Sequence, residues 1–193
     1  MIRRILVRCE WSYVGKVVLS AVPAGLVGVL FKDQLESAFD STRSIGFCLM
    51  ATGVVLTTTR FLPRGGKGVS FLSALGMGVA QAVAILPGVS RSGMTLVAAR
   101  LAKIDAEQAA EFSFLMSAPP ITGAALLEIV KGLKAAEPLA AEVSWGLCGV
   151  GALVAAVVGY FSLKFLLKSL KSDRFWLFGP YCLFAGIVAV CFG

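Results

Sequence analysis

The sequence contains no histidine, and only 15% of its 193 residues are charged. The first absence removes the commonest general base and the commonest metal ligand from any candidate site. The second excludes an ordinary soluble domain, in which charged residues make up about 25% of the chain. Hydrophobic residues account for 58% instead, which is more apolar surface than a chain of this length could bury in water. The composition therefore predicts an all-α polytopic membrane protein.

Cysteine is present but offers no framework for disulfides or zinc. The five cysteines are odd in number and show no C-x-x-C spacing, and four of them lie inside apolar runs. This pattern predicts small buried thiols rather than bridges or metal ligands. The apolar composition has already excluded a disulfide-stapled secreted domain.

Six apolar stretches approach the roughly 20 residues that a helix needs to cross a bilayer. They are residues 14–31, 45–61, 69–86, 112–130, 143–167 and 176–192. The third is followed by a polar, glycine-containing break at 87–93 and a short apolar piece at 94–102. Non-helical backbone at membrane depth must be covered by protein or line a wet cavity. We predict one integral membrane domain, 1–193, with about five full spans and a re-entrant hairpin at 69–111; a surface loop between two spans is the alternative.

The charges alternate along the chain as a membrane topology requires. Residues 1–16, 60–67 and 164–174 each carry a net charge of +3, whereas residues 32–43 sum to −1 and residues 131–142 to zero. The positive-inside rule then places the N-terminus in the cytoplasm and returns the hairpin to the side from which it entered. Because topology accounts for the basic residues, no nucleic-acid partner is expected.

The break concentrates the polar chemistry of the chain. Together with the start of the piece that follows, it offers one arginine, three hydroxyls and two glycines, namely Arg91, Ser90, Ser92, Thr95, Gly88 and Gly93. The nearest acid downstream of Arg91 is Asp105, and none occurs upstream before Asp40. A permanently charged guanidinium among apolar helices is costly unless an anion meets it, and the N-terminus of the following helix also favours an anion. These features predict a phosphate-binding site.

A purely structural reading of the same residues stays open. Two of the hydroxyls could serve only as helix caps, and Arg91 could pair with Glu111 or Glu128 across the bundle. Gln81, one or two turns upstream, either hydrogen-bonds in the site or bridges helices. The sequence does not choose between these two roles of the carboxamide.

A family resemblance is carried by the same region. The run QAVAILPGVSRSGMT at 81–95, followed by AEFSFL at 110–115 and by Pro119, resembles the undecaprenyl-diphosphatase (bacitracin-resistance) family, and the segments 21–31 and 164–193 resemble it too. The resemblance implies an integral membrane phosphatase with two inverted repeats, each containing a re-entrant helix pair. Such an enzyme removes the terminal phosphate of undecaprenyl diphosphate and so regenerates a lipid carrier of cell-wall synthesis at the bacterial inner membrane.

The resemblance also implies roles for the residues of the break. By that resemblance Arg91, Ser90, Ser92 and Thr95 would hold the polyprenyl diphosphate substrate. Taking this together with the residues of the break, we predict Arg91, Ser90 and Ser92 as catalytic residues, and Gly88, Gly93, Thr95 and Gln81 as substrate-binding residues. Ser90 could act as the nucleophile or as an oxyanion donor, and the sequence does not choose.

The chain departs from the family pattern in one respect. Family members carry an upstream E-G-x-x-E-F-L-P-I-S-S-x-G-H stretch whose glutamates and histidine are thought to bind a divalent cation, Mg²⁺ or Ca²⁺. No such stretch occurs here, and no metal ligands are predicted. We expect the chain to correspond to the second repeat with its flanking helices, completed by a missing N-terminal fragment or a homodimer partner. The alternative function is non-catalytic binding or transport of lipid phosphates.

Overall fold

The computed structural model describes residues 11–39, 41–63, 65–134 and 145–193, and this part of the chain is almost entirely helical. Its helices are α1 (Trp11–Leu30), α2 (Lys32–Phe39), α3 (Thr42–Thr58), α4 (Phe71–Val83), α5 (Arg91–Leu101), α6 (Ala106–Lys134), α7 (Trp145–Lys171) and α8 (Phe178–Phe192). Short 3₁₀ turns follow α3 and precede α8. The described residues include no strand, only an isolated bridge between Lys67 and Ile104. The prediction of an all-α protein is confirmed.

Four stretches of the described chain are long and apolar enough to cross a membrane. They are Trp11–Leu30, Thr42–Phe61, Gly146–Lys171 and Phe175–Phe192. Each contains most of one predicted span, so four of the predicted spans correspond to helices of sufficient length and apolar character. The remaining predicted span, 112–130, lies inside α6. This helix is 29 residues long and contains Pro119 and Pro120.

Helices α3 and α8 pack against each other through glycines. A methyl group added at Gly46 would lie 3.0 Å from the Gly186 carbonyl oxygen, and one added at Gly53 would lie 2.8 Å from that of Gly179. The order of these contacts makes the two helices antiparallel. Small residues let membrane helices approach closely enough for extensive van der Waals contact. Helix α8 therefore supports α3, which forms one wall of the break.

The hairpin formed by α4 and α5 begins and ends at one place. The N–H groups of Gly66 and Lys67 both donate to the Lys103 carbonyl, at 3.2 and 3.0 Å, and Asp105 N–H donates back to the Lys67 carbonyl at 2.9 Å. Gly65 lies so close to Lys103 that a Cβ there would be 2.2 Å from the Lys103 carbonyl carbon. Two short helices thus leave from and return to one side of the molecule, although their depth in a membrane stays a prediction.

The C-terminal end of α5 is held by an ion pair. Arg100 donates to the Asp173 carboxylate at 2.6 Å and to the Leu62 carbonyl at 3.1 Å, with the two charged side chains 14% and 33% exposed. Nearby, the Arg60 guanidinium lies 4.9 Å from the centre of the Trp176 ring. These contacts join α5, the loop after α3 and the turn between α7 and α8.

Removal of this ion pair should destabilise the fold. We expect Arg100→Ala to lower the free energy of unfolding by about 1–3 kcal/mol, because a mostly buried carboxylate and a carbonyl lose a donor. The matched control is Lys171→Ala, whose pair with Glu107 is 57% and 60% exposed. Exposed pairs contribute little, so this variant should melt like the wild type in detergent. Equal melting of Arg100→Ala and wild type would contradict the prediction.

Candidate functional site

The break between α4 and α5 is a tight loop packed onto α3. Gly88 has a φ of +88°, a left-handed conformation that side chains with a Cβ rarely adopt. A Cβ at this position would also lie 2.3 Å from the Ile45 carbonyl oxygen and 3.1 Å from the Cys48 Cβ. Only glycine lets the loop adopt this turn while touching the α3 backbone.

Ser90 forms the N-cap of α5. Its backbone is extended, and its hydroxyl oxygen accepts a hydrogen bond from Gly93 N–H at 3.1 Å. Met94 N–H donates to the Ser90 carbonyl at 2.9 Å. The N–H groups of Arg91 and Ser92 have no acceptor among the described residues. Unpaired amides at the start of a helix, together with its dipole, form a binding site for an anion.

Arg91 and Ser92 are exposed at the mouth of this helix end. Within the described part of the chain, the Arg91 guanidinium forms no hydrogen bond or ion pair. The structural alternative of a pair with Glu111 is therefore not observed, and the Glu128 side chain lies outside the described residues. The guanidinium keeps five donors for a ligand. Arg91, Ser90, Ser92 and Gly88 thus lie together at one helix terminus.

Thr95 and Gly93 lie deeper than the sequence indicates. The Thr95 side chain is 0% exposed, and its hydroxyl lies 2.7 Å from the Ser113 hydroxyl on α6 and 3.0 Å from the Arg91 carbonyl. Gly93 is buried against Ser90, with space for no further atom. Both residues therefore shape the start of α5 from behind and do not present atoms at its mouth.

Gln81 is also buried, with 1% of its surface exposed. Its amide nitrogen donates to the Met116 carbonyl on α6 at 3.4 Å, whereas its carbonyl oxygen has no partner among the described residues. The contact joins α4 to α6, which agrees with the helix-bridging role of the two roles that the sequence left open.

Sequence reasoning missed Thr52, on α3. Its side chain is 2% exposed, and its hydroxyl oxygen lies 3.3 Å from the Ser90 backbone nitrogen and 3.4 Å from the Gly88 carbonyl oxygen. The only signal was a polar residue inside an apolar stretch, and that stretch holds several threonines. The sequence does not predict that α3 packs on the break, and only this packing distinguishes Thr52 from the other threonines.

The described residues do not fit a divalent metal ion. No group of three or more His, Cys, Asp or Glu side chains is close enough to hold one in residues 11–39, 41–63, 65–134 and 145–193. Hard cations need several oxygen ligands at short range.

Comparison with known proteins agrees with the resemblance carried by the break. The model of the family described as "Bacitracin resistance protein BacA" matches residues 3–188, nearly the whole chain and all of the site. The chain belongs to this family. The BacA match covers the hairpin, α3 and α6 in full and most of α8, so the helices that form the candidate site lie within it.

Individual BacA relatives are similar over most of the chain, and all three described here are named undecaprenyl-diphosphatase. The protein from Halothermothrix orenii is 37% identical over 177 residues, which are 90% of this chain and 67% of the relative. The protein from Thermotoga maritima is 35% identical over 95% of this chain and 73% of the relative. The protein from Methanothermobacter thermautotrophicus is 40% identical over 89% of this chain and 96% of the relative. The relatives therefore differ in how far they extend beyond the matched part.

Proposed function

We propose that this chain is an undecaprenyl-diphosphate phosphatase. The reaction breaks the anhydride bond between the two phosphates, adds the oxygen of water to the terminal phosphorus, and yields undecaprenyl phosphate and inorganic phosphate. Membership of the BacA family and relatives of that name at 35–40% identity support this activity. The observation in the structure that supports it best is the exposed Arg91 guanidinium at the N-terminus of α5, where it has no partner among the described residues.

The diphosphate would bind at the mouth of α5. Arg91 offers a planar cationic fork that matches phosphate oxygens, and the N–H groups of Arg91 and Ser92 at the start of the helix point along its axis. The Ser92 hydroxyl is exposed beside them, and the Ser90 hydroxyl accepts one hydrogen bond while keeping its own proton to donate. Donors fixed in advance stabilise the charge that develops on the transferred phosphoryl oxygens.

The four other predicted site residues would act by holding this arrangement. Gly88 permits the turn, Gly93 permits the cap, and Thr95 anchors the start of α5 to α6. Gln81 fixes α4 to α6 behind the break. We assign all four to positioning. The side chains of Thr95 and Gln81 are buried, and the two glycines have no side chain that could bind a ligand.

The family implies a divalent cation, and it would supply further charge neutralisation when bound. Because the described residues do not fit such an ion, every role assigned here belongs to the protein's own groups. Ligands for this ion would come from outside the described residues, in keeping with the expectation that the chain corresponds to the second of two inverted repeats.

The candidate site and the basic side of the molecule lie at opposite ends of α5. Arg100 contacts the loop after α3 and the α7–α8 turn, both rich in basic residues, which the positive-inside rule places in the cytoplasm. Arg91 is nine residues earlier on the same helix, about 13 Å away at 1.5 Å per residue. We propose a multi-pass protein of the bacterial inner membrane whose phosphate site lies within the bilayer thickness, reached by a lipid substrate from the side.

Release of phosphate by the purified chain tests this function. In detergent, with Mg²⁺ or Ca²⁺, we expect inorganic phosphate from undecaprenyl diphosphate and none from undecaprenyl phosphate, whose single phosphate ester is not an anhydride. A parallel reaction with EDTA measures the need for a cation, and a mock purification measures contaminating phosphatase. Movement of the lipid between leaflets without phosphate release would instead assign a transporter of lipid phosphates.

A further inference from the structure

The hydroxyl of Thr52 contacts the break on both sides of Val89. It accepts the Ser90 N–H at 3.3 Å, and its single proton goes to the Cys48 carbonyl at 3.0 Å or to the Gly88 carbonyl at 3.4 Å. The side chain is 2% exposed, so water does not compete for these bonds. No other side chain on α3 hydrogen-bonds the backbone of the break among the described residues.

These bonds determine where α5 begins. The Ser90 amide held by Thr52 belongs to the same residue whose hydroxyl caps α5, so a shift of this amide moves the cap and with it the two free N–H groups. Gly88 lies against the Ile45 carbonyl, one to two turns from Thr52 on α3. Helix α3 therefore contacts the loop at Ile45, Cys48 and Thr52, and Thr52 supplies the side-chain hydrogen bonds.

We propose that Thr52 is a positioning residue for phosphoryl transfer, acting through the Ser90 backbone to aim the start of α5 at the diphosphate. The inference rests on the proposed function of the break. Thr52 touches no substrate; it sets the geometry of groups that do. Since small displacements of aligned groups strongly reduce rate, its loss lowers kcat more than it changes KM.

A second threonine provides a matched control. Thr59 is also 2% exposed, and its hydroxyl donates to the Leu56 carbonyl at 2.6 Å within its own helical segment. It forms no hydrogen bond to the break. Thr59→Val therefore removes an equally buried hydroxyl from the same segment of chain without releasing the loop.

The kinetic test compares three variants with the wild type in phosphate release from undecaprenyl diphosphate. We expect Thr52→Val to lower kcat by about 10- to 100-fold with KM within about twofold. Thr52→Ser keeps the hydroxyl and should restore most of the rate, and Thr59→Val should match the wild type. A wild-type rate in Thr52→Val, a loss in Thr52→Ser as large as in the valine variant, or an equal loss in Thr59→Val would overturn the proposal.

A second readout follows the loop without activity. Cys48 is half-buried under the break, beside Gly88. In a background in which the other cysteines (Cys9, Cys148, Cys182 and Cys191) are alanine, alkylation of Cys48 by N-ethylmaleimide reports how closely the break packs on α3. We expect severalfold faster labelling in Thr52→Val and unchanged labelling in Thr52→Ser and Thr59→Val.

The two readouts separate the failure of this inference from failure of the proposed function. If the wild type releases no phosphate, the proposed function fails, and the labelling rates alone decide the contact: unchanged labelling in Thr52→Val overturns it, and faster labelling supports it. If the wild type is active, faster labelling with an unchanged kcat would reduce Thr52 to a packing residue and overturn the positioning role.

Discussion

Arg91→Ala is expected to lower kcat/KM for undecaprenyl diphosphate by about 10³-fold or more. The guanidinium is a permanent positive charge at the mouth of α5, and it has no partner among the described residues. Its charge is therefore available to the phosphate oxygens in the transition state. Steady-state phosphate release in detergent measures the loss.

The Arg91 result can be separated from misfolding. Because the exposed side chain makes no hydrogen bond with the described protein, Arg91→Ala should melt at the temperature of the wild type. Arg91→Lys keeps the charge without the bidentate fork and should recover only part of the rate. Arg174→Ala, an exposed arginine at the α7–α8 turn, is the control for a general loss of positive charge. Full activity of Arg91→Ala would contradict binding of the diphosphate at this helix end.

Gly88→Ala should both destabilise the fold and abolish phosphate release. A left-handed φ of +88° costs about 1–3 kcal/mol for a residue with a side chain, and the new methyl group would collide with the Ile45 carbonyl oxygen at 2.3 Å. The loop must leave α3 to relieve this contact. That movement carries the Ser90 cap with it, so we expect a lower melting temperature together with undetectable turnover.

Gly76→Ala is the matched control for this substitution. Gly76 lies on α4 in the same hairpin, and a methyl group there would meet nothing within 4 Å. Since alanine favours helix over glycine, this variant should be as stable as the wild type or slightly more so, and fully active. Similar losses in both variants would show that the hairpin tolerates no added methyl group, and that the φ of Gly88 is not the cause.

Much of the fold could be predicted from the sequence, because membrane-spanning helices are long and apolar. Helices α1, α3, α7 and α8 lie where the apolar stretches predict them. The ends differ by a few residues; α7 continues to Lys171 because lysines on the last turns can extend their charged heads to the membrane surface. Helix α2 was not predicted, because it is only eight residues long and mostly polar.

The candidate site was legible in part. The Pro-Gly turn, the cap and Arg91 are consecutive, so local chemistry identified them. Thr95 was assigned to substrate binding with the family motif, and Gln81 as one of two roles that the sequence left open, whereas the structure turns both toward α6. A span that is apolar on every face gives no periodicity from which to predict the direction of a side chain.

Contacts between residues that are far apart in the chain could not be predicted from the sequence. Arg100 pairs with Asp173, 73 residues later, and Thr52 reaches Ser90, 38 residues later. Two of the thiols expected to be buried, Cys148 and Cys191, are exposed on spans, and Cys9 lies outside the described residues. Each outcome depends on which helices become neighbours, and one sequence does not determine that.

The location of the bound diphosphate tests the assignment of the site most directly. A structure of the chain in lipid with a methylene-diphosphonate analogue of the prenyl diphosphate, which has no cleavable anhydride oxygen, would show it. We predict phosphonate oxygens about 2.7–3.2 Å from the Arg91 guanidinium and from the Arg91 and Ser92 N–H groups. Phosphonate density elsewhere, for instance beside Arg100 at the basic end of α5, with Arg91 free, would contradict the assignment.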